Sequence, residues 1–147
     1  PFQSTAVGTV TPGKTYAAAF QVAAAPAPLN VRAHIEWRTA GGAALPASIG
    51  STVVLSGSYG TVAVQGVAPA TASYALVAVF STAAIPGGQI IAVRQGGFVE
   101  QLAGEAFPPA FFDGATTDKV GVSYDWTGTA DLSTSTETTR TPTSANR

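Results

Sequence analysis

Strict alternation of apolar and polar residues is the clearest pattern in the sequence, and it covers residues 29–38. A period of two predicts a β-strand with one apolar and one polar face. Trp37 is in phase with the apolar residues, which favours a place in the core over a role as an exposed ligand platform. The apolar positions are Leu29, Val31, Ala33, Ile35 and Trp37, and the polar ones are Asn30, Arg32, His34, Glu36 and Arg38.

Most of the remaining chain divides into short β-type runs separated by Gly, Pro and Ser. Turn signals recur at roughly 8–12-residue intervals, as in sandwiches and barrels, and no window shows a sustained helical period. The nearly continuous apolar run at 74–80 predicts a strand buried on both sides, and Gly66 predicts a β-bulge. Segment 49–55 is either a strand of its own or the partner of 59–67. The further runs cover 4–10, 15–24 and 89–101. We therefore predict an all-β, antiparallel β-sandwich.

The C-terminal part differs in composition from the rest. Residues 108–126 are rich in aromatic side chains, the following segment is rich in Thr and Ser, and residues 141–147 contain no hydrophobic residue larger than Ala. Residues 141–147 therefore bury too little apolar surface to offset their ordering entropy. We predict a sandwich core at 1–107, a closing hairpin or extended arm at 108–136, and a flexible tail at 137–147.

Composition and charge exclude several classes of protein. The 147 residues fit one domain, and 7 basic against 8 acidic residues argue against nucleic acid as a partner. The absence of Cys removes disulfides and thiolate metal sites, and the single histidine, His34, excludes a multi-His metal site. No apolar run reaches the ~18 residues of a membrane span. We predict no cofactor and no membrane insertion.

The polar face of residues 29–38 is the first candidate ligand-binding site. Arg32, His34, Glu36 and Arg38 project to one side, where their charged groups can bind hydroxyl groups of a sugar or a partner. The alternative is an ordinary solvated sheet face with cross-strand ion pairs. Tyr59 lies at a Gly-flanked turn and is a candidate exposed aromatic.

Aromatic and acidic residues near the C-terminus form the second group of candidates. Tyr124 and Trp126 share a phase, and they either stack on a sugar ring or pin the closing segment to the sandwich. The acids Asp113, Asp118 and Asp125 do not have the spacing of a calcium loop, and the first of them begins an Asp-Gly turn. We predict no metal site.

The sequence carries no clear catalytic constellation. His34 lies in mid-strand, and no nucleophile-elbow motif accompanies it. Glu100 and Glu105 are close in sequence, but the Gly and Pro residues around them indicate a linker rather than a carboxylate pair for glycoside hydrolysis. We predict no catalytic residues and a non-enzymatic protein.

The order of motifs resembles one known family. A PGKTY turn begins at Pro12, Trp37 is followed by a Gly-Gly loop, FFDG occupies 111–114, and SYDWTGTADLSTST occupies 123–136. The chain thus resembles the carbohydrate-binding-type jelly-roll module of minor tail proteins from phages of actinobacteria. Those modules carry further strands before the PGKTY turn, whereas about ten residues precede Pro12 here. Either the first strands of the module lie upstream in a longer polypeptide, which agrees with the lack of Met, or this version of the module is trimmed.

The resemblance implies a galactose-binding-like jelly roll in a phage tail tip. A minor tail protein of this kind is a structural component of the virion tail, extracellular when free, which adheres to host cell-wall glycan or joins adjacent tail proteins. A homo-oligomer of three- or six-fold symmetry is expected around a tail axis. Two alternatives remain open: a carbohydrate-binding module of a secreted glycoside hydrolase, and a capsid decoration or head fibre protein.

Overall fold

The computed structural model describes residues 5–109, 122–126 and 135–139. The chain divides into two units, Pro1–Ala110 and Phe111–Arg147. Every regular element within the described ranges is a β-strand, and every strand pairing is antiparallel. The prediction of an all-β, antiparallel β-sandwich is confirmed.

Two sheets make up the first unit. The larger sheet has the order β1-β7-β3-β4, with β5 also paired to β3, and the smaller has the order β6-β2-β8. Successive strands cross repeatedly from one sheet to the other, so the sheets face each other across a shared core. The strands are β1 (Thr5–Thr9), β2 (Thr15–Ala25), β3 (Leu29–Arg38), β4 (Ser48–Ile49), β5 (Val53–Leu55), β6 (Gly60–Val67), β7 (Tyr74–Ser81) and β8 (Ile90–Glu100).

Each sheet of the first unit is built around one central strand. β2 lies between β6 and β8, while β3 lies between β7 and the short strands β4 and β5. β8 pairs with β2 alone among the described strands, so its other edge carries no strand partner there. This edge is eleven residues long, which makes β8 the longest one-sided strand of the sandwich.

The core contains the residues that the alternating pattern predicted. All five apolar residues of β3 are buried, and Trp37 is only 1% exposed. The Tyr16 ring packs edge-on against Trp37, with 5.9 Å between centroids, and stacks on Phe98 at 5.2 Å. Val62 and Val64 of β6 close the core from the opposite sheet. The prediction that Trp37 is a core residue is confirmed.

A type II turn and a hydrogen bond to a tyrosine hydroxyl stabilise the segment before β2. Lys14 N donates to Thr11 O at 3.2 Å, and Gly13 has φ +79°, which is the conformation that the third position of a type II turn requires. Thr11 N donates to the Tyr16 hydroxyl at 2.8 Å. A tyrosine that bonds the backbone a few residues upstream resembles the tyrosine corner of β-sandwiches.

Two details of the predicted strands differ from the structure. Segment 49–55 pairs with β3 through two short strands rather than with 59–67, and between these strands Gly50 N donates to Ala33 O at 2.9 Å. Gly66 pairs in regular register with Tyr16, so the predicted bulge is absent there. A Cβ on Gly66 would overlap the Ser48 side chain, which explains the glycine by close packing instead.

The predicted strand at 74–80 is buried mainly on its core side. Ala75, Val77 and Val79 face the core, and Ala78 on the other face is also buried. Leu76 and Phe80 are only half-buried. The outer face of this strand therefore remains partly open to solvent.

The second unit contains one described strand pair. β9 (Val122–Trp126) runs antiparallel to β10 (Ser135–Thr139), with Trp126 opposite Ser135 and Val122 opposite Thr139. The predicted boundaries of the core, the closing segment and the tail stay predictions.

Candidate functional site

The four charged or polar candidates of β3 lie together on the outer face of the five-stranded sheet. Arg32 is exposed, whereas His34, Glu36 and Arg38 are half-buried. They form one row because every second residue of a strand points to the same side. We call these four residues the β3 row.

The ion pair within the β3 row joins two residues of one strand, whereas the sequence suggested ion pairs between neighbouring strands. Arg38 Nη2 lies 2.9 Å from Glu36 Oε2, and both residues belong to the same strand. Arg32 Nε donates to Thr52 Oγ1 at 2.8 Å. Both side chains of the ion pair remain 26% exposed, so solvent screens the interaction and its contribution to stability is small.

His34 packs between neighbours on both adjacent strands. Its ring centroid lies 4.3 Å from that of Phe80 on β7, and Ile49 of β4 is its partner on the other side. Burial lowers the pKa of His34 below its ordinary value, the Glu36 carboxylate opposes this change, and Arg32 adds to it. The imidazole is therefore neutral at pH 7 and available as both a donor and an acceptor.

Acidification is expected to destabilise the fold through His34. Because the pKa is lower in the folded state, the unfolded chain binds more protons between the folded value and the unfolded value of 6.5. The stabilisation is complete above pH 6.5 and is lost as the pH falls toward the folded pKa. Urea unfolding at pH 7.5 and 5.5 measures this loss. His34→Gln should have the smaller difference between the two pH values, and an equal difference in both proteins would contradict the assignment.

Tyr59, the other candidate in the first unit, belongs to a different surface. It directly precedes β6 in the three-stranded sheet, and its side chain is 42% exposed. The Arg94 guanidinium carbon lies 4.6 Å from the centroid of its ring. Arg94 Nη2 donates to Gln21 Oε1 at 3.3 Å, and Gln21 Nε2 donates to Thr61 Oγ1 at 3.2 Å. The structure thus separates Tyr59 from the β3 row and places it in a second polar cluster.

Several candidates lie outside the described residues. Asp113 and Asp118 fall there entirely, while the strand β9 holds Tyr124, Asp125 and Trp126, whose side chains are not described. Their predicted roles stay predictions. Within the described ranges, no group of three or more His, Cys, Asp or Glu residues is arranged to hold a metal ion.

The two glutamates considered as a carboxylate pair have separate local partners. Glu100 Oε1 lies 3.1 Å from Lys14 Nζ. Glu105 Oε2 accepts a hydrogen bond from Leu102 N at 2.7 Å. Both contacts stabilise turns at one end of the three-stranded sheet.

Sequence reasoning missed the residues that complete each surface. Phe80 was assigned to a strand buried on both sides, yet it contacts His34 on the outer face. The sequence does not identify Arg94. The pairing of β8 with β2 shifts register between Gln21 and Val22, and this shift changes the direction of the Arg94 side chain. The Gly96-Gly97 pair that follows was an available signal for an irregular strand.

Comparisons with protein-family models, with curated proteins and with solved structures each found no match. No helix in the described part of the chain is long and apolar enough to cross a membrane. The two surfaces and the motifs in the sequence are the features that bear on function.

Proposed function

We propose that this chain is a non-enzymatic structural component of a phage tail tip, and that its β-sandwich adheres to a host cell-wall glycan. The motif resemblance supports the tail assignment, and the confirmed all-β fold is compatible with it. The observation that carries the adhesive role is the β3 row, which places four polar side chains on one outer sheet face.

The dimensions of the β3 row suit an extended polymer. Its first and last residues are six positions apart, which corresponds to about 20 Å along a strand. A row of this length can contact several consecutive sugar rings. A sheet also holds its side chains on a rigid backbone, which limits the entropy lost when a flexible polymer binds.

The chemistry of the β3 row suits sugar hydroxyl groups. Guanidinium groups donate, the Glu36 carboxylate accepts, and neutral His34 does both. Charge-assisted hydrogen bonds of this kind are about twice as strong as neutral ones. Apolar side chains flank the row: Phe80 lies beside His34, while Ile49 and Val54 are 55% and 66% exposed. These flanks offer surface to the C–H faces of sugar rings.

Contact with neighbouring tail subunits is the second part of the proposal. The edge of β8 that faces away from β2 has no strand partner among the described residues. Edge strands accept an extended segment by adding it to the sheet, and main-chain hydrogen bonds supply the affinity. Sedimentation of the purified chain over a range of concentrations would report the resulting oligomer.

Changing the β3 row is expected to weaken binding to purified cell-wall polysaccharide from actinobacteria. Arg32→Ala and Glu36→Gln each remove one charge-assisted interaction, which corresponds to about a tenfold loss of affinity. Co-sedimentation of the chain with the insoluble polysaccharide measures the bound fraction.

Lys14→Ala provides the control, because Lys14 is an exposed cation on a turn of the other sheet and pairs with Glu100. Its bound fraction should equal that of the unchanged chain. Thermal unfolding by circular dichroism confirms that each variant is folded. Equal binding by all three variants, or no binding by the unchanged chain, would overturn the adhesive role of the row.

A further inference from the structure

The cluster around Tyr59 and Arg94 has a structural origin in a bulge of β8. Gln21 pairs with Gln95, but the next residue of β2, Val22, pairs with Val93. Arg94 is the extra residue of the bulge, and such residues redirect a side chain. Regular alternation would have placed Arg94 on the core side with Gly96 and Phe98. The bulge brings it instead to the side of Gln21.

Arg94 is held in place by its neighbours without being neutralised. Its guanidinium lies over the Tyr59 ring and donates one hydrogen bond to the neutral amide of Gln21. The carboxylates that form ion pairs in the described part of the chain do so elsewhere, Glu36 with Arg38 and Glu100 with Lys14. Arg94 therefore presents an uncompensated positive charge on a preorganised side chain.

The hydrogen bonds within this cluster leave mainly donors available. The Gln21 carbonyl oxygen accepts from Arg94, and its amide nitrogen donates to Thr61 Oγ1. The hydroxyl hydrogens of Thr61 and Tyr59, together with the other N–H groups of Arg94, remain to serve a ligand. A surface of donors around a guanidinium fork is complementary to a carboxylate or phosphate group.

We infer that Tyr59, Arg94, Gln21 and Thr61 form a second binding site, which takes the oxyanion of an acidic glycan. The guanidinium binds the oxyanion through its free edge, the Thr61 hydroxyl adds a hydrogen bond, and the exposed part of the Tyr59 ring contacts the adjoining sugar. The choice of a glycan as the carrier rests on the proposed function, whereas recognition of the oxyanion does not. The site belongs to the three-stranded sheet and is separate from the β3 row.

Titration with three soluble polymers tests this site. The probes are a polyuronate, a sugar-phosphate polymer and a neutral glucan, and the readout is the NMR shift of the Arg94 Nε–H and Tyr59 ring signals. We expect both anionic polymers to shift these signals and the neutral glucan to leave them unchanged. The stronger of the two anionic responses identifies carboxylate or phosphate as the preferred group. Added salt should weaken the binding because the cluster is exposed.

Variants separate the oxyanion site from general attraction to the chain. Arg94→Gln should reduce affinity for the anionic polymer about tenfold or more, and Arg94→Lys should recover only part of it, because an ammonium lacks the planar fork. Lys14→Gln removes an exposed cation from the turn before β2, where it pairs with Glu100, and should leave the affinity unchanged. Equal losses in Arg94→Gln and Lys14→Gln, or an undiminished affinity in Arg94→Gln, would overturn the site.

The two proposals fail in different ways. If the anionic polymers shift the Arg94 signal while cell-wall polysaccharide does not bind to the chain, the oxyanion site stands and the adhesive function falls. If the β3 row binds polysaccharide while the anionic polymers leave the Arg94 signal unmoved, the second site falls alone.

Discussion

Replacement of Trp37 by alanine is expected to lower the free energy of unfolding by about 3–5 kcal/mol, the usual cost of deleting a large aromatic side chain from a core. Trp37 is 1% exposed and packs against the edge of the Tyr16 ring. Its Nε1–H also donates to Ser48 Oγ at 3.1 Å. The substitution therefore removes apolar packing, an aromatic pair and a hydrogen bond between β3 and β4. Urea unfolding followed by circular dichroism measures the loss.

Two further variants identify the source of this loss. Trp37→Phe keeps most of the packing but removes the bond to Ser48, so a smaller loss of about 1–2 kcal/mol is expected. Tyr59→Ala deletes an aromatic ring that is 42% exposed and should cost less than Trp37→Ala. A Trp37→Ala protein no less stable than Tyr59→Ala would show that Trp37 is not the centre of the core.

Replacement of Gly50 by alanine is expected to cost about 3 kcal/mol, near the upper end of the range for overpacked cores. A Cβ at this position would overlap the carbonyl oxygen of Ala63 and lie 3.3 Å from that of Ala33. Both obstacles are backbone atoms, so no side-chain rotation can relieve the overlap. The loop between β4 and β5 would have to move away from β6, and the 2.9 Å bond from Gly50 N to Ala33 O would weaken.

Gly57→Ala is the matched control for this effect. A Cβ on Gly57 would meet no atom within 4 Å, and its backbone does not adopt the left-handed conformation. The change should alter stability by no more than about 1 kcal/mol, since it mainly reduces the freedom of the unfolded chain. Thermal and urea unfolding measure the stability of both variants. Equal stability of the two proteins would contradict the close approach at Gly50.

The sequence predicts the orientation of a strand well where large apolar residues alternate with polar ones. Alternation over Leu29–Arg38 places every apolar residue of that strand in the core, because a slip of one position would expose all of them. The alanine-rich strand β2 was harder to orient. Ala17 and Ala19 are buried on one face while Ala18 is buried on the other, and small residues leave no pattern that distinguishes the two faces.

The two candidate sites also differ in how far the sequence predicts them. The β3 row follows from periodicity within a single strand, so the sequence is sufficient to assemble it. The second cluster joins residues from β2, β6 and β8, and it depends on a register shift between two of these strands. The Gly96-Gly97 pair hints at an irregular strand, but the position of the shift depends on pairing across the sheet, so the sequence identifies Tyr59 and not Arg94.

The order of strand pairing also determines when each part of the sandwich can form during synthesis. β2, β3, β5 and β6 all lie within residues 15–67, so the two central strands, β2 and β3, each have one neighbour at an early stage. β1 has no described partner until Tyr74–Ser81 has been made, and β8 is the last of the described strands of the first unit to join. β1 therefore waits until more than sixty further residues have been made before it can pair. Pairings so distant in sequence slow folding and leave strand edges open to other nascent chains in the meantime.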